Sequence, residues 1–327
     1  MNKEMRTELA NKVAYRINQN DEFDCAVTDV VKTNGIVLTG ISVKKRDDRI
    51  APTIYVDDFL YNNDINDIED DAEEENIIKA LVKRCMEVYD KTIDDDARKI
   101  EDILDFSKIK FKILPRLTNS QMDAPRIAKG VHRLIAGDLM CSYVIDLGHM
   151  HGPDGDTQFA TTQVTNEMLQ TWQKSSQEKI DANTIHRLSI ENAMKLRPMK
   201  IQSLFDFAAA RFAGNAKMME EMEENRPMPE DDQYILNNEQ GMFGATSILY
   251  DSVLQNFADD INCDLYIIPS SVHEVLLIPA TMDKKDSENE MKEMIHCVNK
   301  EVVEDSEILS DNLYYFERDN GRLSMLP

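Results

Sequence analysis

The densest apolar sequence of the chain lies between Gly241 and Ala280. Within it, the runs Asp264–Ile268 and Val272–Ile278 are separated by Pro-Ser-Ser, a pattern typical of two strands that are joined by a tight turn and covered on both faces. We therefore expect a buried hairpin in a mainly antiparallel sheet. Its predicted core side chains are Leu265, Ile267, Leu276 and Ile278.

Two further elements are predicted in front of this hairpin. Phe243–Leu249 is β-prone and indicates a strand. From Val253 to Ile261, apolar residues then recur at helical spacing, and Asp251 is placed to cap the helix that this spacing predicts.

The first ninety residues predict a smaller α+β unit. A stripe at every fourth position from Met5 to Ile17 predicts an amphipathic helix over residues 2–18. The predicted strands of its small antiparallel sheet are Cys25–Val31, Ile36–Val43 and Thr53–Val56, and Asn34-Gly35 is a strong hairpin signal between the first two. The apolar face of the helix that covers this sheet contains Ile77, Ile78, Leu81, Val82, Cys85 and Tyr89.

We place a domain boundary near residue 93. Residues 1–93 are the predicted small α+β N-terminal domain, residues 94–106 a connecting helix, and residues 107–327 a larger α+β domain. Its predicted strands are Lys108–Leu114, Leu139–Leu147, Phe159–Val164 and a closing hairpin of Leu313–Phe316 with Arg322–Met325; its predicted helices follow Thr165, span 177–196, and follow a capping box at Ser287. The sequence thus predicts two α+β domains with mainly antiparallel sheets that helices cover.

Residues 197–232 differ in composition and predict a helical, acidic, methionine-rich insertion. Its second half, MMEEMEENRPMPEDD, places Met218, Met219 and Met222 among glutamates. Two readings stay open for it. It is either a mobile helix tip or a soft contact surface for another molecule, because methionine side chains adapt readily to apolar partners.

Negative charge is concentrated in two stretches of the 327-residue chain, whose net charge is −24. Residues 57–105 contain 18 acidic and 6 basic side chains, a net of −12, and residues 218–232 contain 7 acidic residues and one arginine, a net of −6. Direct nucleic-acid binding is disfavoured, because phosphate affinity comes from clustered Lys and Arg. We expect a basic protein partner to meet Glu73, Glu74 and Glu75. The alternative is that the acids serve only solubility.

The sequence favours a cytoplasmic protein that does not enter the membrane. No run approaches the roughly 20 apolar residues that span a bilayer, and MNKEMRTELANKV lacks the apolar core of a signal peptide. The five cysteines are odd in number and far apart, which indicates reduced and mostly buried thiols.

Several stretches together resemble an uncharacterised bacterial family, a domain of unknown function. They are NGIVLTGISVKK, IAPTIYVDDF, ILPRLTN, SYVIDLG, FGATSILY, DLYIIPSSVHEVLLIPA and LSDNLYYFERDNGRL, which cover most of the chain. The resemblance implies an accessory or mobile-element role in bacteria. It implies no established activity and no catalytic residues.

Candidate chemistry is densest in the segment from Asp146 to Asp156. His149 and His151, with Asp146, Asp154 and Asp156, could hold Zn²⁺ or a similar metal if a turn brings them together, and His132 and His186 could add ligands. The competing interpretation is a polar, exposed loop between two strands without a metal. No cofactor is predicted.

Residue types of nucleophilic catalysis also occur in Ser270-Ser271-Val272-His273-Glu274. A strand would place His273 and Glu274 on opposite faces, so we expect no triad there. No Gly-rich phosphate loop is present in the sequence.

Two function classes follow. The favoured one is a non-enzymatic binding or regulatory protein with an acidic interaction surface, whose extreme form mimics nucleic acid towards a basic partner. The alternative is a metal-dependent hydrolase centred on His149 and His151.

Overall fold

A computed structural model describes residues 1–48, 51–92, 102–151, 157–176, 179–212, 214–281 and 288–327. The fold is α+β, with helices packed on three antiparallel sheets, so the predicted fold class is confirmed. Within these ranges, no helix is both long enough and apolar enough to cross a membrane.

The N-terminal unit is a three-stranded sheet covered by two long helices. The strands, in the order β1-β2-β3, are β1 Phe23–Val31, β2 Val37–Lys45 and β3 Thr53–Tyr55. The helices are α1 Lys3–Ile17, α2 Val56–Asn62 and α3 Asp71–Thr92. The side chain of Asn2 caps α1 by accepting from the Met5 amide. The core between sheet and helices includes Leu9, Val13, Ile41, Val43, Leu81 and Cys85.

The turn between β1 and β2 forms where the sequence predicts it. Asn34 and Gly35 both have positive φ, at 56° and 71°, a conformation that asparagine and glycine tolerate best. The turn also lies close to the C-terminal part of the chain. A Cβ placed on Gly35 would be only 3.1 Å from the Met122 carbonyl oxygen.

A four-stranded sheet begins the C-terminal body. Its strands are β4 Ile113–Asn119, β5 His132–Ala136, β6 Leu139–His151 and β7 Thr157–Gln163, and β6 pairs with all three others. The helices around it are α4 Phe106–Ile109, α5 Ala124–Lys129, α6 Asn166–Ser175 and α7 Ala182–Leu196. The prediction of a strand at Lys108–Leu114 is wrong, because β4 begins at Ile113 and runs through Pro115. Proline is tolerated there because β4 is an edge strand among the described residues.

A six-stranded sheet completes the body, in the order β13-β12-β10-β11-β9-β8. Its strands are β8 Met199–Ser203, β9 Tyr234–Asn238, β10 Leu265–Ile268, β11 Val275–Pro279, β12 Tyr314–Glu317 and β13 Arg322–Met325; the remaining helices are α8 Leu204–Ala210, α9 Ala216–Glu224, α10 Val253–Asp260 and α11 Glu288–Glu301. The predicted central hairpin is confirmed as β10 and β11. Leu265, Ile267 and Ile278 are buried, whereas Leu276 is half-buried and its neighbour Leu277 takes the core position.

The segment before α10 is not the predicted strand. Gly244–Leu249 is a 3₁₀ helix that begins after Phe243, whose φ is 53°. A Cβ on Gly244 would lie 2.4 Å from the His273 carbonyl oxygen, so close backbone contact replaces sheet pairing here. The residue before α10 is Ser252, which makes no side-chain cap, so the capping role expected of Asp251 is also wrong.

Two other predictions change in extent. Helix α7 begins at Ala182 after a cap by Asp181, rather than at residue 177. The predicted insertion shrinks to residues 204–232, because β8 belongs to the main sheet. The predicted connecting helix 94–106 and the cap at Ser287 lie largely outside the described residues, and the division into two domains stays a prediction.

Candidate functional site

Residues 204–232 form an excursion between two paired strands, which we call the acidic arm. Its ends are held together where β8 and β9 pair: the Ser203 hydroxyl donates to Asp232 at 2.5 Å, and the Leu204 amide donates to the Gln233 carbonyl at 2.7 Å. The arm therefore leaves the sheet and returns to it at one point.

Arg226 fastens the C-terminal end of α9 to α8 within the arm. Its guanidinium lies 2.9 Å from Asp206 and 2.8 Å from Glu223, and it lies over the ring of Phe205 at 4.5 Å from the centroid. Ion pairing lowers the pKa of Glu223. At the other end, Asn215 caps α9 by accepting from the Met218 amide. Local contacts thus hold α9 as a helix.

The three methionines of α9 belong to none of the buried hydrophobic clusters of the described chain. Met218 is 37% exposed, and Met219 and Met222 are partly exposed. The arm also exposes large apolar side chains at Phe207, Phe212 and Met228, the last of them 61% exposed. An apolar surface on a helix that buries little against its own fold is typical of a contact surface for another molecule.

Part of the negative charge on α9 is free of cations. Glu221 lies 3.7 Å from Lys217, and Glu223 is paired with Arg226. Glu220 and Glu224 are exposed and have no cationic partner among the described residues. The arm therefore combines methionines with uncompensated carboxylates.

The predicted N-terminal acids occupy a different environment. Glu74 lies 2.7 Å from Lys12, and Glu75 accepts two hydrogen bonds from Arg16, at 2.9 and 2.8 Å. Glu73 accepts from the backbone amide of Glu69 at 2.8 Å, at the start of α3. The hydrogen bonds from Arg16 lower the pKa of the Glu75 carboxyl, and those from Glu75 raise the pKa of Arg16. Glu74 and Glu75 therefore join α3 to α1, whereas Glu73 does not.

An open groove of about 860 Å³ runs between α1 and α3, and both paired glutamates line it. It also contains the exposed ring of Tyr15. Its lining mixes acids with Lys3, Lys12 and Arg16, so it has no strong excess of one charge. The charge count of residues 57–105 gave no sign of this compensation, because the cations come from α1.

Acids without a cationic partner in the described structure precede α3 instead. They are Asp64, Asp67, Glu69, Asp70 and Asp71, in the loop that follows α2 and at the first residue of α3. Asp70 accepts from the Glu73 amide at 2.8 Å and so helps to begin the helix. This loop is the more exposed part of the N-terminal acidic stretch.

Among the predicted metal residues, the side chains of His149 and His151 lie outside the described part of the chain. His149 and His151 are residues of β6, paired with Phe159 and Thr157, rather than of a loop. Asp146 accepts from the Gly148 amide at 2.7 Å and lies 3.7 Å from Arg197. Asp154 and Asp156 lie outside the described residues.

The other two histidines considered as ligands have protein partners. His132 Nδ1 lies 3.0 Å from the Gly130 carbonyl oxygen, and His186 Nδ1 lies 3.0 Å from the Tyr143 hydroxyl. Burial lowers the pKa of His186. No cluster of three His, Cys, Asp or Glu residues suited to a metal occurs in the described ranges. The metal site stays a prediction.

Both ring nitrogens of His273 have hydrogen-bond partners within the fold. Its Nδ1 accepts from the Phe243 amide at 3.2 Å, and its Nε2 lies 3.1 Å from Glu307. Ser271 Oγ accepts from the His273 backbone amide rather than contacting the imidazole. The residues of a nucleophilic triad are therefore not arranged as one.

Sequence reasoning missed several buried polar groups, among them Asp138 and Arg116. Asp138 accepts hydrogen bonds from Asn119, Ser310, Asn312 and the Tyr314 hydroxyl. These bonds join the β5–β6 turn, which contains Asp138, to the last third of the chain. Arg116 is buried within β4. The signal for Arg116 was available, since it is a charged residue inside the apolar run ILPRLTN.

The five cysteines are free, as predicted from their number and spacing. Three are buried, Cys263 is half-buried and Cys297 is exposed. Burial raises the pKa of both Cys25 and Cys85 to about 12, so these thiols are unreactive in the folded protein.

Comparison with known proteins agrees with the resemblance seen in the sequence. Neither the curated proteins nor the solved structures contain a match to this chain. A family model matches residues 2–318, which is nearly the whole chain. The protein therefore belongs to the family of unknown function DUF5688.

Proposed function

We propose that this is a non-enzymatic cytoplasmic binding or regulatory protein, and that the acidic arm is its main contact surface for a basic partner. The observation that supports this proposal is helix α9. Its three methionines lie outside every buried cluster of the described chain, beside the uncompensated Glu220 and Glu224. A solubility device needs the glutamates but does not need exposed methionines.

The chemistry of the arm defines its partner. Methionine side chains adapt to varied apolar surfaces and act as the lasting anchors of a contact. Carboxylates attract basic groups over about one Debye length, roughly 8 Å at physiological salt, and mainly accelerate the encounter. The partner is therefore an amphipathic segment with apolar anchors and flanking Lys or Arg.

The N-terminal acids have a secondary role in this proposal. Glu74 and Glu75 are paired with α1, so they contribute less to the outside field than the loop acids do. Asp64, Asp67 and Asp71 form a second group of exposed acids, in the N-terminal unit, that would also attract a basic partner. If the partner is itself a nucleic-acid-binding protein, this surface competes with its nucleic acid, which is the mimic form of the proposal.

The first experiment is affinity capture from a bacterial lysate with the full chain, followed by binding measurements with the purified partner. The variant is Met218→Ser with Met222→Ser, and the matched control is Met294→Ser, which changes an exposed methionine on α11. We expect the double variant to bind about tenfold or more weakly, a loss of about 1.4 kcal/mol or more, and the control to bind normally.

A second part of the experiment tests the carboxylates of α9. Glu220→Gln with Glu224→Gln should slow association, and raising salt should slow association of the parent protein. A partner whose binding is unchanged by both double variants and by salt would show that the arm is not the contact surface. Competition by DNA or RNA for the same partner would identify the mimic form.

A further inference from the structure

The hairpin turn of the N-terminal unit ends against buried polar residues of the C-terminal body. Arg116 of β4 and Arg126 of α5 both donate to the Thr33 hydroxyl, at 2.8 and 3.1 Å. Asn34 Nδ2 donates to the carbonyl oxygens of Asp305 and Ile308, at 2.7 and 2.8 Å. The group that we call the junction consists of Thr33, Asn34, Arg116, Asp123 and Arg126.

Three buried polar atoms of the junction have no hydrogen-bond partner among the residues that the structure describes. They are Arg116 Nε, Asp123 Oδ1 and Asn34 Oδ1. Asp123 is 2% exposed and Arg116 is 9% exposed. A buried polar group without a partner costs about 1–3 kcal/mol, more when it is charged, so three in one contact need a physical explanation.

Asp123 is also in an unusual position for its chemistry. It precedes α5, where an aspartate commonly caps a helix, yet it makes no capping hydrogen bond. Burial raises the pKa of its carboxyl group, and the nearby guanidinium groups of Arg126 and Arg116 act in the opposite direction. The carboxylate therefore belongs to the junction rather than to its own helix.

The charges of the junction restrict what can complete it. Burial and the neighbouring Arg126 lower the pKa of Arg116 to about 10, and the ring of Phe243 covers its guanidinium, 4.4 Å from the ring centroid. Asp123 repels an additional anion, and the two arginines repel a cation. What remains is a small neutral molecule that accepts one hydrogen bond and donates two.

Water has these properties. We propose that the junction binds at least one ordered water molecule, which accepts a hydrogen bond from Arg116 Nε and donates to both Asp123 Oδ1 and Asn34 Oδ1. Buried water that satisfies such groups is part of a protein structure and is costly to remove. The N-terminal unit is thus joined to the body through a hydrated polar contact, independently of the proposed function.

A crystal structure of the full chain tests the proposal directly. We expect a solvent peak within roughly 2.6–3.2 Å of Arg116 Nε and of both acceptor atoms. A direct hydrogen bond between Arg116 Nε and the Asp123 carboxylate would overturn the proposal. So would well-ordered junction side chains without a bridging solvent peak.

Oxygen-17 magnetic relaxation dispersion tests it in solution, because this method counts long-lived internal waters. Asp123→Leu and Asn34→Gly each remove one acceptor, and glycine accepts the positive φ of position 34. We expect Asp123→Leu to lose at least one long-lived water, whereas Asp319→Asn, on an exposed turn, keeps the parent count. If Asp123→Leu does not fold, Asn34→Gly decides the question. An unchanged count in the folded variant would contradict the proposal.

Discussion

Helices α3 and α9 both contain runs of glutamate, but their surroundings give those glutamates different roles. Helix α3 packs Ile77, Leu81 and Cys85 into the N-terminal core, and its Glu74 and Glu75 pair with Lys12 and Arg16 of α1. Helix α9 leaves its methionines outside the buried clusters of the described residues, with Glu220 and Glu224 uncompensated.

A run of acids is therefore not in itself an interaction surface. On α3 the acids are part of a helix–helix contact, because α1 supplies cations at matching positions. On α9 the described cations are Lys217 within the helix and Arg226 just after it, and they leave Glu220 and Glu224 without a cationic partner among the described residues. The apolar residues differ in the same way, since those of α3 lie in a buried core and those of α9 lie outside the buried clusters of the described residues.

The largest expected effect is on the stability of α3. Leu81 is fully buried, so Leu81→Ala should lower the free energy of unfolding by about 2–5 kcal/mol through lost burial and the cavity that remains. Met222→Ala on α9 should change it by no more than about 0.5 kcal/mol. Denaturant unfolding measures both, with helix content as the control. Equal losses in the two variants would mean that α9 is held by the fold as firmly as α3.

A second expected difference is in amide hydrogen exchange. Helix α9 has nine residues, which is too short for independent stability in water, and its described side chains are not buried. We expect amides of α9 near Met222 to exchange at least about tenfold faster than those of α3 near Leu81, because local opening of α9 exposes little apolar surface. Slow exchange throughout α9 in the free protein would contradict the expected difference between the two helices. Slower exchange of the α9 amides upon partner binding would support a contact there.

Local periodicity and turn chemistry were sufficient for much of the fold. The stripe that ends at Ile17, the positive-φ pair at Asn34 and Gly35, and the apolar runs of β10 and β11 each carry their own signal, and the structure confirms them. The family resemblance is likewise confirmed over residues 2–318.

The errors occur where a distant part of the chain decides the local conformation. Gly244–Leu249 is apolar enough for a strand, but the close approach of Gly244 to the His273 backbone makes it a 3₁₀ helix. Pro115 suggested the end of a strand, whereas the edge position of β4 accommodates it. Neither contact is visible within a window of the sequence.

The candidate surface could be predicted only in part for the same reason. The clustering of acids and methionines was evident in residues 218–232, but the pairing of Glu74 with Lys12 joins residues far apart in the sequence. Counting charge along the chain therefore does not reveal that Glu74 and Glu75 are paired. The loop acids Asp64 and Asp67 lie within the same stretch of residues 57–105, and charge counting alone does not distinguish them from the paired glutamates.

The smallest expected effect is the pH dependence of the paired glutamates. Arg16 lowers the pKa of Glu75 in the folded protein, so the ion pair stabilises the fold at pH values above the ordinary glutamate pKa. This contribution is lost as pH falls through the lowered folded-state pKa. Glu75→Gln should therefore have a slightly lower Tm than the parent at neutral pH, and the two Tm values should converge in acid.

The matched variant on α9 is Glu220→Gln with Glu224→Gln. Because neither glutamate has a cationic partner among the described residues, its Tm should equal that of the parent at neutral pH, or exceed it slightly through reduced repulsion in a chain of net charge −24. High salt should narrow the Glu75→Gln difference, since the pair is solvent-accessible. A lower Tm for the α9 variant at neutral pH would show that its glutamates also stabilise the fold, and the acids could then no longer distinguish the two helices.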